Sequence, residues 1–498
     1  MSKSVVKIER INNFEYSFSH SNRGGMKAVA KALTFKNPSG FAQRDKIEHF
    51  DKRNLTFKIG MLYELLNSLK KNKICYEITD YVYKLPKKIE IDDRMSGNYI
   101  HQQKAVEAFF NRRFGIIVVP TRGGKTFIAS EILRIFLKNT DEGNFLFLTD
   151  NTTLHKQAVD DITAYFERYG GIDIGEIKAG KIDVSKRVTV GMIQTIQRAL
   201  KKDYADKKKQ KELKEYFKDL RFLCVDEIHD NCSDSKLKLY KSCKRLEYQL
   251  CLSATPYRSG AYVQNLKMKA WSGDVCYSIS EETLRDRHVL SDYKVFMLMI
   301  NHEEIDYGRF VEDYDNLKNV MIYNSKERNE VLVKLIETFR NMGLKTLVLF
   351  QSLQHGEKIS KIVGEPFISG KHTANQREKV KNEFLQKDGG VLLASNIFKK
   401  GVTLPDVQIL INGDEGLEDA NTIQKKGRVL GATENKQRSL IIDFFDIYDL
   451  YFSEHSENRL NTYVNAIGEK NVTILDVFVD DWYDSVVLFS KRWFGVQS

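Results

Sequence analysis

The chain has 498 residues, of which 42% are apolar, 29% charged and only 6 proline, so it can bury more than one hydrophobic core and is neither fibrous nor disordered in composition. No apolar run approaches the roughly 20 residues of a bilayer span, and the start, MSKSVVKIER, lacks a signal-peptide apolar core. Six cysteines without a CxxC pair read as reduced core thiols of a cytoplasmic protein rather than as a zinc site or a disulfide framework. The net charge of +11 is uneven: residues 1–95 hold 19 basic and 11 acidic side chains, the other 403 residues 59 and 56. That excess leaves open a contact with a polyanion or a merely solvated surface.

In chain order, residues 1–95 alternate apolar and polar in VVKIERI and CYEITDYVYKL around a helical MLYELLNSLKK, which predicts a small α+β accessory domain. From Phe114 to Pro256 one unit repeats: a short apolar run, a loop, an amphipathic stretch. The runs GIIVV (115–119), FLFLT (145–149), VTV (188–190), FLCV (222–225) and LCLS (250–253) predict buried parallel strands of a doubly wound α/β domain over 96–290. The same grammar restarts in TLVLF (346–350), PFIS (366–369), GVLLA (390–394), VQILI (407–411) and SLIIDF (439–444), a second such domain over 291–447. Parallel sheets take ligands beyond the carboxyl ends of their strands, and two copies predict a cleft between them. The charged stretch 200–219 reads as a solvated helix in preference to a DNA contact, and 448–498 as a helical extension that packs back onto a domain.

The sharpest local signal is VPTRGGKT (119–126), between a predicted strand and a predicted helix. Backbone N–H groups of Thr121, Arg122, Gly123 and Gly124 and the helix start can cradle phosphate oxygens. Lys125 can reach the β- and γ-phosphates, and Thr126 can ligate Mg²⁺. The strict pattern wants glycine at Val119, and GGKT alone would equally suit a turn. After the FLCV run comes Asp226-Glu-Ile-His229, which places two carboxylates at the same sheet edge: Asp226 to hold Mg²⁺ and Glu227 to orient the attacking water. His229, together with Ser253 and Thr255 of SAT, is expected to link this site to the next strand. Gln424 and Arg428 lie four apart on a predicted helix that begins at Asn421, and so share a face.

In this order the motifs resemble those of superfamily 2 helicases of the DExH type over about 95–447, and among them the UvsW-type branch-migration DNA helicases of tailed phages. The resemblance implies two tandem RecA-like domains, ATP and Mg²⁺ as cofactors, and a cytoplasmic DNA translocase that works on forked or junction DNA in recombination and replication; it leaves the oligomeric state open, a monomer among the options. It makes Gln102 the adenine-reading residue and Gly401 part of the nucleotide site. Lys125, Asp226, Glu227, Gln424 and Arg428 become the catalytic set. Thr153 and Gln157 in LTDNTTLHKQ, Gly191, Gln194 and Thr195 in GMIQT, Gln351 and His355 in FQSLQHG, and Ser395 become strand contacts. The chain departs from the pattern in two places: Asp150 stands where the first strand-contacting motif usually begins with proline, and Gly431 where a second arginine is expected. The latter predicts slowed turnover. A restriction-type motor subunit and a weakened nucleic-acid-binding module are the alternatives.

Overall fold

In the computed structural model the described residues are 5–12, 14–21, 23–36, 46–79, 89–233, 236, 239, 240, 242, 243, 245–257, 261–304, 314–387, 389–395, 404, 406–414, 436, 438–479 and 481–496. They form two compact units, one of residues 1–120 and 124–279, the other of residues 121–123 and 280–498.

The first unit begins with the alternating segment VVKIERI. Its period of two turns Val6, Ile8 and Arg10 inward along β1 (Val5–Asn12). β1 pairs antiparallel with β2 (Glu15–His20) and parallel with β7 (Cys75–Thr79), while the short β5 (Phe50–Asp51) and β6 (Thr56–Lys58) extend the sheet in the order β5-β6-β2-β1-β7. A separate hairpin joins β3 (Thr34–Lys36) and β4 (Lys46–Glu48). Helices α1 (Arg23–Ala32) and α2 (Leu62–Lys71) bury Val29, Leu65 and Leu69 against this sheet, the second of them where MLYELLNSLKK predicts a helix.

The main sheet follows: β8 (Phe114–Val118), β9 (Asn144–Thr149), β10 (Ile174–Lys178), β11 (Lys181–Ile182), β12 (Val188–Met192), β13 (Leu220–Val225), β14 (Tyr248–Ser253) and β15 (Val275–Ser278). Their order is β11-β10-β12-β9-β13-β14-β8-β15, with all neighbours parallel except β10 and β11. Successive residues point to opposite faces, so Ile116, Leu146, Leu223 and Val225 join one core and Ile117, Phe145, Phe222 and Leu250 the other. Helices cover both faces: α3 (Ile100–Arg112), α4 (Lys125–Asn139), α5 (Thr152–Glu167), α6 (Ile193–Ala199), α7 (Lys207–Lys218) and α8 (Tyr262–Ser272). The charged stretch near 200–219 does form a helix, but α7 is not simply solvated. Gln210, Leu213, Tyr216 and Phe217 lie four or fewer residues apart and bury one face.

The N-terminal sheet and its helices form the expected α+β accessory region, packed closely within the first unit. Its core runs without a break into one face of the main sheet. Phe14 packs on Trp271 with ring centroids 5.6 Å apart, Lys58 Nζ lies 4.7 Å above the same indole, and the guanidinium of Arg10 lies 4.9 Å above Phe114. Lys269 bridges Glu64 and Asp274, the latter at 2.9 Å.

In the second unit, β16 (Asp292–Asn301), β17 (Thr346–Phe350), β18 (Phe367–Ile368), β19 (Val391–Ser395), β20 (Ile409–Asn412), β21 (Arg438–Ile447) and β22 (Val472–Asp476) make an all-parallel sheet in the order β18-β19-β17-β20-β21-β16-β22. Helices α9 (Lys326–Asn341), α10 (Leu353–Val363), α11 (Ala374–Gln386), α12 (Asp449–Ile467) and α13 (Trp482–Phe494) connect or flank the strands.

Two boundaries read from sequence shift. The first unit ends at Ile279 rather than 290, because β15 completes its sheet beside β8. The tail beyond 447 is more than a helical extension: β22 pairs with β16 as the edge of the second sheet, and α13 buries Trp482 and Val486, with Phe489 5.1 Å from Phe296. Strands β10, β15, β16 and β22 carry no signal as clear as the predicted runs. Of the cysteines, Cys224, Cys243 and Cys251 are buried, and burial raises the thiol pKa of each; Cys75 is exposed. No described helix is long and apolar enough to cross a membrane.

One glycine fixes how closely the N-terminal sheet docks. A Cβ on Gly60 would lie 1.8 Å from the carbonyl oxygen of Lys269. Gly60→Ala therefore forces backbone apart, and we expect a loss of about 1–3 kcal/mol, the usual scale of overpacking, measured as a lower urea midpoint. An unchanged midpoint would contradict this close approach.

Candidate nucleotide site

Strands β8, β14 and β13 lie side by side and parallel, so the loops after them emerge together at one edge of the sheet. The loop after β8 leaves Val119, whose N–H bonds to the Ser253 carbonyl at 3.2 Å, and turns through Arg122 and Gly124 at φ of 72° and 90° before α4 starts at Lys125. Gly124 meets two constraints at once. Its backbone is left-handed, and a Cβ there would lie 2.2 Å from Gln102 Nε2. Gln102, buried on α3, thus lies against the turn of the phosphate loop. The N–H groups in the first turn of α4 have no carbonyl within the helix to bond to, which is the usual anion cradle.

From that turn Lys125 extends Nζ to 3.8 Å from Glu227 Oε1 and 3.5 Å from the Val119 carbonyl. A lysine held between a carboxylate and a carbonyl is the cation that a γ-phosphate would recruit. Asp226 follows β13, its own N–H tied to the Leu148 carbonyl at 3.1 Å and its Oδ1 accepting the N–H of Glu227 at 3.0 Å. Glu227 adopts a left-handed φ of 44°, a conformation that costs a non-glycine residue energy and clusters at functional sites. Its Oε2 is buried without a hydrogen bond, 3.4 Å from His229 Nδ1. His229 Nδ1 also lies 2.9 Å from Ser253 Oγ, which accepts the N–H of Thr255 at 3.1 Å. One imidazole therefore touches both the carboxylate loop and the end of β14. The donor set fits a magnesium-bound nucleotide: Thr126 opens α4, Asp226 stands across the edge, and Glu227 keeps an oxygen uncommitted to hydrogen bonds.

The residues expected to meet a strand divide. Thr153 and Gln157 lie one turn apart on α5, whose first turn is capped by Asn151 accepting from the N–H of Leu154 at 2.9 Å. Gln194 is exposed and donates to Asp150, to its carbonyl at 2.6 Å and its Oδ1 at 2.8 Å; Thr195 is half-buried beside it on α6. Gly191 is a correction: it is buried in β12, and a Cβ there would meet Ile196, Leu146 and Ile177 at 3.1–3.5 Å, so it serves close packing rather than a strand.

His355 is a second correction. It is 1% exposed, bonded through Nδ1 to Asp414 and through Nε2 to Asn329 Oδ1 at 2.7 Å, which leaves no ring nitrogen for a phosphate. Asp414 is the residue that sequence reasoning missed. Fully buried, it accepts the N–H groups of Gln351 at 2.6 Å and Ser352 at 2.8 Å and so shapes the loop after β17. Despite its burial, the His355 hydrogen bond and charge and the Ser352 N–H hold its carboxyl below the usual carboxylate range. Its only signal is an acidic residue after the apolar run VQILI. Ser395 is buried at the end of β19. Gly401, Thr403, Asn421, Gln424, Lys425, Lys426, Gly427, Arg428 and Gly431 lie outside the described residues.

A doubly wound domain with a phosphate loop, facing carboxylates and a second parallel-sheet unit defines a nucleoside-triphosphate hydrolase of the tandem kind. Comparison with known proteins specifies it. The family described as type III restriction enzyme, res subunit, matches residues 97–258, and the helicase conserved C-terminal domain matches residues 315–432. The chain belongs to the superfamily 2 helicases.

It is 23% identical over 376 residues to putative helicase 22 of Sulfolobus islandicus filamentous virus, covering 70% of this chain and 63% of that one. With the ATP-dependent DNA helicase uvsW of Enterobacteria phage T4 it shares 19% over 416 residues, covering 80% and 79%. With the DNA 3'-5' translocase XPB2 of Sulfurisphaera tokodaii it shares 24% over 436 residues, covering 78% and 86%. The solved structure of S. cerevisiae Dbp5 bound to RNA and ADP BeF3 matches in fold with a TM-score of 0.54 at 16% identity, covering 79% of this chain and 93% of that one.

Three substitutions probe this geometry. Gly124→Ala should weaken binding of a fluorescent ATP analogue at least tenfold, about 1.4 kcal/mol, and lower the urea midpoint, and Gln102→Ala in the same chain should restore part of the lost midpoint by removing the collision. No recovery in the double variant would mean that the backbone conformation alone matters. His355→Ala should strip a buried carboxylate of its hydrogen-bond partner and cost about 3–5 kcal/mol of stability. If stability held and affinity for single-stranded DNA fell instead, the histidine would be a strand contact after all.

Proposed function

We propose that the chain is an ATP-dependent DNA translocase that remodels branched DNA, forks or junctions, by stepping along one strand. The observation that carries the reading is the convergence of Lys125, Glu227, His229 and Ser253 at one sheet edge, with Lys125 Nζ 3.8 Å from Glu227 and His229 2.9 Å from Ser253. Bound ATP would set its phosphates against the N–H groups of the 121–124 loop and the start of α4. Lys125 would turn from Glu227 to the γ-phosphate, releasing that carboxylate to orient water, and Thr126 and Asp226 would hold the magnesium ion that neutralises developing charge. Because the nucleotide stabilises one arrangement of the catalytic loops over the other, binding and hydrolysis alternate the grip on the strand. The names of the phage T4 and Sulfurisphaera relatives, a DNA helicase and a DNA translocase, support DNA over RNA.

The preference for branched DNA is drawn from the N-terminal sheet. On α1 the exposed Arg23, Lys27 and Lys31 are four residues apart, so they form one stripe about 12 Å long at 1.5 Å per residue. Such a stripe suits the phosphates of a duplex arm, and its docking through Trp271 would hold that arm against the motor domain. A motor subunit of a restriction-type nuclease is the second reading, favoured by the family matched over 97–258.

The decisive experiment compares ATP turnover stimulated by forked DNA, single-stranded DNA and RNA. Forked DNA should stimulate most, Lys125→Ala should abolish turnover, and Glu227→Gln should bind ATP without hydrolysing it. Turnover within a few-fold of wild type in either variant would refute the site. Replacing Arg23, Lys27 and Lys31 together with alanine should weaken fork binding and lower the slope of log K against log salt by up to about 2.7, as three phosphates lose their cations. An unaltered slope would place the duplex contact elsewhere.

A further inference from the structure

We infer that Lys236, Asp150 and Asn231 form a polar bridge through which the catalytic loop and the strand-contacting loops set one another's position; the inference rests on the functional reading above for its consequence, though not for its geometry. Strands β12, β9 and β13 are neighbours, so the segments after them, at Gln194, Asp150 and Asp226, emerge in a row. Across that row runs a continuous chain of hydrogen bonds. Asn231, 1% exposed, donates from Nδ2 to the carbonyls of Asp226 at 2.7 Å and Glu227 at 3.2 Å, and so grips the backbone of both catalytic carboxylates. Its Oδ1 accepts from Lys236 Nζ at 2.8 Å, and the same ammonium donates to the Asp230 carbonyl at 2.9 Å and to Asp150 Oδ1 at 3.1 Å.

All three donors of Lys236 are therefore matched by acceptors, with its side chain only 14% exposed and that of Asp150 23%. Asp150 Oδ1 takes Gln194 as a second donor at 2.8 Å, and the next residue, Asn151, caps α5.

Asp150 is where the resembled motif has proline, which offers no side-chain acceptor. The carboxylate gives this chain a charged link at that position. A shift of 226–231 on hydrolysis is transmitted through Asn231 and Lys236 to Asp150, and from there to the start of α5 and to Gln194. In the other direction, a phosphate arriving at the start of α5 sets a negative charge near Asp150 and biases the carboxylate loop by the same free energy. Lys236, Asp150 and Asn231 are positioning residues, since none of them needs to touch the nucleotide.

The test uses the full chain. In the ligand-free protein, Asp150→Asn, nearly isosteric, should raise amide exchange at 226–231 at least threefold although it changes nothing within that loop. Lys236→Met should do the same at 150–154, and Lys236→Arg much less. In turnover assays with a single-stranded oligonucleotide, Lys236→Met should lower the ratio of stimulated to unstimulated turnover at least fivefold, with the half-stimulating concentration moving less than twofold. Lys236→Arg should retain at least half of that ratio. Unaltered exchange at 226–231 in Asp150→Asn, or a stimulation ratio within twofold of wild type in Lys236→Met, overturns the bridge. A wild-type chain that no nucleic acid stimulates would refute the functional reading instead, and the exchange measurements would still decide the bridge.

Discussion

The parallel ladder that holds β13, β14 and β8 side by side is the constraint on which the chemistry depends. Val225 pairs with Cys251 and Ser253 with Val118, so three strands drawn from residues 114–253 end at one edge. Side chains in a strand alternate between faces, so a slip of one residue would bury what must be presented and expose what must be buried. The register is secured by apolar packing on both faces, with Val225 and Cys251 in one core and Cys224, Leu250 and Leu252 in the other. The two backbone bonds that close the edge, Val119 to Ser253 and Asp226 to Leu148, then hold the phosphate loop and the carboxylate loop to that register.

Much of this was legible in the residues. Short β-branched runs between amphipathic stretches mark buried parallel strands, since nothing but two apolar faces makes such runs worth keeping. The phosphate loop and the DEIH segment were readable because a strand before and a turn after give an otherwise commonplace tetrapeptide a place. What stayed hidden were elements whose pattern is diluted. β22 is an edge strand with Thr473 and Ile474 exposed, and it lies within a stretch whose aromatic spacing reads as helix. The docking of the N-terminal sheet was likewise unreadable, because Trp271 and Gly60 are remote in sequence and no local rule pairs them.

The two reassigned residues share a physical reason. Motif positions say which residue type recurs at a loop, not whether its side chain faces solvent or supports the loop from below. At His355 the support is polar: a buried carboxylate that gathers two backbone N–H groups needs a further hydrogen-bond partner, and the imidazole supplies it. At Gly191 the support is steric, an α-carbon against three apolar side chains. Both shape surfaces that other groups present. Asn231, by contrast, has no recognisable sequence signature, and Asp414 only that of an acidic residue after an apolar run. Each satisfies the backbone of a loop end, and that task is visible only when the partners are in place.

The docking of the N-terminal sheet also bears on how the chain is made. Glu64 and Lys269, partners across that contact, are 205 residues apart in sequence. At roughly 5–20 residues per second, synthesis of the intervening stretch takes about 10–40 s. Through that interval Phe14, Ile59 and Met61, all buried in the finished protein, wait without their cover. The nascent sheet therefore has an apolar face open on the ribosome until the indole of Trp271 arrives.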